Sequence, residues 1–330
     1  MCKLASCVIP RSIIIAASFC ASASCVPLVH AQSYPARPVR ILVGIPPGGG
    51  VDVLARAVAY KLSERWGQSV IVDNRTGAGG AIAMELVAQA SADGYTLLAG
   101  STGTIATASV LKKVAFDTRR AYAPVIEMNS QPYLLVVGPS LKVNSVKELI
   151  AIAKSRPGAL NYASTGVGSG SHLGMELFKY MAGVDIVHVP YKGLVPAMID
   201  VTGGQIQLAL GAALTLSPFV KNGRIKALAT GGSRRSQAYP DLPTVADSGL
   251  PGFERSNSYA VFAPAATAPA IVQALNREIS RILTLPDVQE KFAADGAEPA
   301  MPNTPAQFKD AYSKEVAKWE KFFKATGIKI

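Results

Sequence analysis

Gly44-Ile45-Pro46-Pro47-Gly48-Gly49-Gly50-Val51-Asp52-Val53-Leu54-Ala55-Arg56 is the stretch that decides the fold of this chain. The apolar run 39–45 leads into it with strand character, and Val53, Leu54, Ala57, Val58 and Leu62 share one helical face after it. Strand, glycine-rich turn and helix together are one way to build an anion site. Glycines let the backbone approach a ligand with no Cβ in the way. The first amides of a helix lack internal partners and lie at the positive end of its dipole. The same residues fit a tight turn between a core strand and a core helix equally well. No Gly-Lys-Ser/Thr follows, so this is not a phosphate loop, and the spacing is not Gly-x-Gly-x-x-Gly.

Outward from that stretch the pattern repeats. Residues 70–72 read as a short buried strand, Asn74-Arg75-Thr76-Gly77-Ala78-Gly79-Gly80 as a second turn, and 81–90 as a helix. A strand at 95–99 ends in a third turn, Gly100-Ser101-Thr102-Gly103-Thr104. This β-α-β-α-β order implies an α/β fold, a parallel sheet with helices on both faces. Ligands in such sheets lie at the carboxyl ends of strands, where all three turns fall. A second half repeats the logic, with strands at 133–137, 160–163, 186–189, 206–210 and 225–229 and helices at 146–153, 173–181 and 195–201. Its turns are Ser164-Thr165-Gly166-Val167-Gly168-Ser169-Gly170-Ser171-His172, Pro190-Tyr191-Lys192-Gly193 and Gly211-Ala212-Ala213. A strand at 258–263 and helices at 269–283, 287–294 and 305–325 finish the chain. This last part is expected to return and pack on the first domain.

The first 31 residues read as a secretory leader: Lys3 and Arg11, an apolar stretch, then Val29-His30-Ala31 as the cleavage site. The apolar stretch is short for a membrane span and is broken by Pro27. Cys20 and Cys25 lack the aliphatic residue that a lipid-attachment site has three positions before it. All four cysteines (Cys2, Cys7, Cys20 and Cys25) lie in the leader, so thiol catalysis and cysteine zinc sites are excluded from the mature protein. What remains of the 330 residues suits two domains. The net charge of +11 fits steering of anionic solutes or a generally basic surface. No dense basic run with interleaved aromatics points to nucleic acid.

Residues able to do chemistry are few. His172 and His188 are the histidines after the leader, and they are not spaced as metal ligands. His188 sits in an apolar strand and reads as structural. His172, at a helix start, is a candidate base for Ser169 or Ser171, although capping or anion binding is the simpler role of those hydroxyls. Gly168-Ser169-Gly170 does not have nucleophile-elbow spacing. Asp52 is read as a helix-dipole and amide partner. Arg75 is read as exposed or paired with an acid. Tyr191 and Lys192 fit either a cleft wall or a packed turn. Turns of Gly, Ser and Thr converging on strand ends can hold a carboxylate without ionic partners.

These motifs together resemble one family. Pro46-Pro47-Gly48-Gly49-Gly50-Val51-Asp52 with Ala55-Arg56, the 74–80 turn, Asp93-Gly94-Tyr95-Thr96-Leu97, Ser171-His172-Leu173, Pro190-Tyr191-Lys192-Gly193 with Pro196-Ala197, and Leu242-Pro243-Thr244-Val245 with Gly249 are similar to the Bug family of periplasmic solute receptors of the tripartite tricarboxylate transporter type. The resemblance implies a two-domain, type II periplasmic-binding-protein (Venus-flytrap) fold, each domain a mainly parallel sheet flanked by helices. Boundaries are expected at 1–31 for the leader, 32–131 with 254–330 for one domain, and 132–253 for the other.

By motif position the resemblance implies a ligand site at Ile45, Pro47, Gly48, Gly49 and Asp52 in the first domain. Facing them it implies Thr165, Gly166, Ser169 and His172, with Ser101, Thr102, Tyr191, Gly211 and Ala212 completing the cleft. It implies a small carboxylate held by amides, hydroxyls and water, with no catalytic residue, metal or cofactor. It also implies a periplasmic monomer that serves the permease subunits of a tripartite tricarboxylate-type transporter. A receptor signalling to a membrane sensor, or a secreted serine hydrolase using Ser169 or Ser171, are the alternatives. The family often has an aromatic at Ile45, a hydroxyl at Val51, an Asp or Asn before Gly211 and a Trp at Ser258. These departures imply a roomier, less polar cleft.

Overall fold

Alternation inside the first strand sets the layers. In β1 (Val39–Val43), Ile41 and Val43 enter one core while Leu42 enters another, because successive side chains of a strand point to opposite faces. The computed structural model describes residues 34–111, 114–294, 297 and 303–326. The expected leader, its cysteines and its cleavage site lie outside the described residues.

After β1 come α1 (Gly50–Trp66), β2 (Val70–Asn74), α2 (Ala81–Ala88), β3 (Thr96–Ser101), α3 (Thr102–Val110), α4 (Thr118–Ala121) and β4 (Tyr122–Val137). Then follow α5 (Val146–Ser155), β5 (Asn161–Ser164), α6 (Gly170–Ala182), β6 (Val187–Pro190), α7 (Leu194–Thr202), β7 (Leu208–Ala212), α8 (Ala213–Lys221) and β8 (Lys226–Thr230). Last come β9 (Ser256–Pro264), α9 (Pro269–Leu283), α10 (Pro286–Ala294) and α11 (Pro305–Thr326).

The sheet is mixed. Its order is β2-β1-β3-β9-β4-β7-β5-β6, with β8 also on β4. Two parallel triplets, β2-β1-β3 and β6-β5-β7, carry the repeat seen in the sequence. Antiparallel β9 and β4 join them, which alternation alone did not reveal. Strand β4 is 16 residues long; its first part pairs with β9 up to Pro132, and from Tyr133 onward it pairs with β7. Within that second part Tyr133, Leu135 and Val137 face one core, and Leu134 and Val136 another.

Helices cover both faces. α1, α6 and α9 supply Leu54, Val58, Leu62, Met175, Phe178, Leu275 and Ile279 to the largest core. α2, α3 and α11 form a second with Met84, Ile105, Phe308, Tyr312 and Trp319. α7 and α8 close the third.

Three expectations change. The buried face of α1 is Val51, Leu54, Ala55, Val58 and Leu62, and Val53 and Ala57 are its half-buried margins. β2 is an edge strand, not a buried one: it pairs with β1, and Ile71 is 49% exposed. Helices α3 and α8 begin where the sequence reads as turn, because small and hydroxyl residues at 102–110 and Pro218 inside α8 mask their helical period. No helix among the described residues is long and apolar enough to cross a membrane.

Candidate functional site

Six helices begin around one cavity of about 190 Å³. Gly49 and Gly50 bring the start of α1 to it, Gly80 and Met84 that of α2, Ser101 and Thr104 that of α3, Gly170 and Ser171 that of α6, Gly193 and Leu194 that of α7, and Ala212 and Thr215 that of α8. Each start presents amides that have no carbonyl partner within their helix, at the positive end of its dipole. Not one of the residues lining the cavity is an Asp, Glu, Lys, Arg or His. The field there is therefore positive without any cation in the wall.

Local chemistry fixes each start. Gly48 has φ +83, a left-handed turn that a Cβ would strain, and its amide donates to Asp52 Oδ2 at 2.9 Å. Asp52 is buried, and also accepts from Arg56 Nε at 3.0 Å and Asn74 Nδ2 at 2.9 Å. Burial pushes the Asp52 carboxyl up. The hydrogen bonds from Arg56, Gly48 and Asn74 outweigh burial and hold it below the ordinary value. Asn74 also donates to the Ile45 carbonyl at 2.9 Å, so one carboxylate ties the first two glycine turns together.

Ser101 caps α3 by accepting from the Thr104 amide at 3.3 Å, and its hydroxyl donates to Asn257 Oδ1. Ser169 caps α6 by accepting from the His172 amide at 3.3 Å. Ser171 Oγ accepts from the Thr165 amide at 2.9 Å. Across the cavity the Gly50 amide donates to Thr215 Oγ1 at 3.0 Å.

Two tyrosines from the joining strands form the floor. A Cβ on Gly50 would stand 2.5 Å from the Tyr259 hydroxyl, and one on Gly170 would overlap the Tyr133 hydroxyl. Each hydroxyl therefore lies against the first residue of a facing helix. Burial pushes both phenols up. Arg255 opposes that shift at Tyr133, and hydrogen bonding to Thr215, Gln131 and Asn257 opposes it at Tyr259. Both remain donors at neutral pH.

Of the residues proposed from motif position, Ile45, Pro47, Gly49, Ser101, Thr165, Gly211 and Ala212 line this cavity. The other seven lie outside its lining. Gly48 and Asp52 form the tie just described. Thr102 Oγ1 bonds Ser258 Oγ at 2.6 Å on the far side of β9, in a second pocket. Gly166 makes the bend of its loop at φ +114, and Ser169 caps α6. His172 Nδ1 accepts from the Gly168 amide at 2.8 Å and its ring stacks on His188 at 3.9 Å. Tyr191 donates to Asp200 at 2.5 Å; burial and this acid push its phenol up to about 12.

Tyr133, Tyr259, Asn257 and Thr215 line the cavity and were not singled out from the sequence. A signal existed for the tyrosines, since each heads an apolar run, 134–137 or 260–263, and its hydroxyl needs a polar partner. Thr215 carried none, because α8 itself was masked.

A family model described as "Tripartite tricarboxylate transporter family receptor" matches residues 54–328. Protein BugT of Bordetella pertussis is 38% identical over 322 residues, covering 97% of this chain and 98% of that protein. The Rhodopseudomonas palustris protein Rpa4515, solved with adipate, has a TM-score of 0.85 at 38% identity, covering 89% of this chain and 99% of that one. MatC of the same organism, solved with bound malate, has a TM-score of 0.83 at 30% identity, with 87% and 99% covered. The chain therefore belongs to the Bug-type periplasmic solute-binding receptors of the tripartite tricarboxylate transporter family.

Proposed function

We propose that this receptor captures a small dicarboxylate in the cavity between its two parallel triplets, holding it by helix-start amides, hydroxyls and water. The observation that carries this reading is a cavity ringed by six helix starts with no charged side chain in its lining. Such a wall favours an anion over a neutral solute of the same shape and needs no charged side chain in direct contact with the solute. Ile45, Met84, Leu98, Ile105 and Leu194 supply apolar surface suited to the methylenes between two carboxylates. Adipate and malate in the related structures fit that chemistry.

The protein would work as a monomer in the periplasm, after loss of residues 1–31, and deliver its solute to the permease subunits of a tripartite tricarboxylate-type transporter. Mass spectrometry of the exported protein is expected to show a start near Gln32; a lipid-bearing start at Cys20 or Cys25 would exclude this form.

Calorimetry of the exported protein with adipate, malate, succinate, citrate and the neutral adipamide tests the function. At least one dicarboxylate is expected to bind, and adipamide much more weakly than adipate. Binding of adipamide equal to that of adipate, or no binding by any of the acids, would overturn the reading.

A further inference from the structure

A buried cation stands just behind the uncharged wall. Arg255 is 2% exposed and lies in the segment that leads into β9. Its Nε donates to the Gly170 carbonyl at 3.2 Å, and Nη2 is buried with no hydrogen-bond partner. The guanidinium is layered between the rings of Tyr133, at 5.0 Å, and Trp319, at 4.8 Å. Among the described residues it makes no ion pair within 4.0 Å. Glu315 on α11 is close by, but its Oε1 accepts from Trp319 Nε1 at 2.7 Å. A buried guanidinium with neither a paired acid nor a full set of acceptors is costly, and a protein that keeps one has a use for its charge.

Geometry indicates the use. Gly170 is the first residue of α6 and lines the cavity. A Cβ there would overlap the Tyr133 hydroxyl and stand 2.7 Å from Arg255 Nη2. The hydroxyl and the cation thus converge on one point of the wall, with Tyr133 in the lining and Arg255 outside it. We propose that Arg255 is a positioning residue for the bound carboxylate: it acts as the counter-charge behind the wall and holds the Tyr133 hydroxyl and the start of α6 as donors toward the ligand. The preference of Tyr133 for its donor form fits this role, since its phenol is shifted up by burial while Arg255 opposes the shift. Lying outside the lining, the cation can favour an anion without chelating it.

This inference rests on the dicarboxylate reading. Its test is the affinity of the exported, full-length mature protein for adipate and for adipamide, in the parent and in Arg255→Met, Arg255→Lys and Tyr133→Phe. Arg255→Met keeps the apolar stem but removes the guanidinium and its charge. Its adipate affinity is expected to fall about 20-fold, the order expected for removing a unit charge several ångströms from an anion at an effective dielectric near 20, and its adipamide affinity to change less than about twofold. Arg255→Lys is expected to restore most of the adipate affinity, which a purely packing role would not predict. Tyr133→Phe is expected to weaken adipate and to add little further loss in the Arg255→Met background.

Equal weakening of adipate and adipamide in Arg255→Met, or unchanged adipate binding, would overturn the inference while leaving the dicarboxylate reading intact. Should Arg255→Met fail to fold, Arg255→Lys and Tyr133→Phe still decide: full loss of adipate affinity in Lys with a normal unfolding temperature, or parental affinity in Phe, would overturn it. A parent protein that binds none of the acids overturns both proposals.

Discussion

Asp52 belongs to the motif that identifies the family, yet its carboxylate is spent inside the protein, on Gly48, Arg56 and Asn74. Asparagine would leave Gly48 and Arg56, both exposed, and the half-buried Asn74 with a weaker acceptor. Asp52→Asn is expected to cost about 1 kcal/mol at neutral pH, since water partly replaces these charge-assisted hydrogen bonds. Its carboxyl titrates below the ordinary 3.8 in the folded protein, so this stabilisation is complete above 3.8 and is lost as pH falls through the lower folded value. The gap between parent and Asp52→Asn in urea unfolding should therefore close as pH falls below 3.8. His188 gives an effect of the same sign at higher pH. Burial holds it below 6.5, with Glu176 opposing and Lys179 assisting. The folded state resists protonation, so stability present above 6.5 falls as pH drops below that value. Its ring bonds Ser164 Oγ at 2.6 Å and stacks on His172 and Tyr162, so the disturbance would reach the loop before α6. The parent's urea midpoint is expected to decline between about pH 7 and pH 5.5, and His188→Gln to flatten that decline. A profile unchanged by the substitution would remove His188 as the cause.

At the scale of the element, the working part of each helix is its first turn. Gly50 opens α1 with the Tyr259 hydroxyl 2.5 Å from where a Cβ would stand and the ring carbons at 3.0 Å. Gly50→Ala is therefore expected to push the floor tyrosine from its place and weaken adipate binding by about tenfold or more, the worth of a hydrogen bond to a charged group. Lys192→Ala should change affinity less than about twofold, because an exposed lysine outside the lining is screened by water. Calorimetry on the two variants separates an amide-built site from an ionic one, and a larger effect at Lys192 would reverse the assignment.

The elements themselves were unevenly legible. β1, α1 and the strand-turn-helix repeats could be read because apolar periodicity and glycine turns agree there. The start of α3, Thr102-Gly103-Thr104-Ile105-Ala106, has helical geometry but little apolar contrast, and α8 carries Pro218. β9 and the first part of β4 gave no hint of direction, because antiparallel pairing across 130 residues is a tertiary choice that local pattern does not encode. Of the cavity residues, Asn257 stayed hidden with the pairing of β9 and Thr215 with the start of α8, while the tyrosine hydroxyls were visible in the sequence but not the face they would occupy.

On the scale of the whole molecule, the same two strands offer a hinge. We propose that residues 32–131 with 254–330 and residues 132–253 move as two bodies about the segments 129–132 and 252–256. Supporting this, β4 changes partners between Pro132 and Tyr133, and among the described residues the other strand joining the two parallel triplets in the sheet order is β9. Two contacts cross the cavity and would break if the bodies parted: the Gly50 amide on Thr215 Oγ1, and Gly193 so near Pro46 that a Cβ would stand 3.3 Å from its ring. A ligand that touches α1 and α6 together gains contacts absent when they separate, and so draws the population toward closure. The four cysteines all fall in residues 1–33, which lets a label pair be placed without background. Tyr60 on α1 and Tyr180 on α6, 63% and 61% exposed, are suitable positions for Tyr60→Cys and Tyr180→Cys. Spin-label distances are expected to be long and broad without ligand, and shorter and narrower with saturating adipate. Thr215→Val should shift the unliganded distribution further toward the open form, having lost its bond to Gly50. If calorimetry shows adipate bound while the label distances stay unchanged, closure is wrong and the site is preformed.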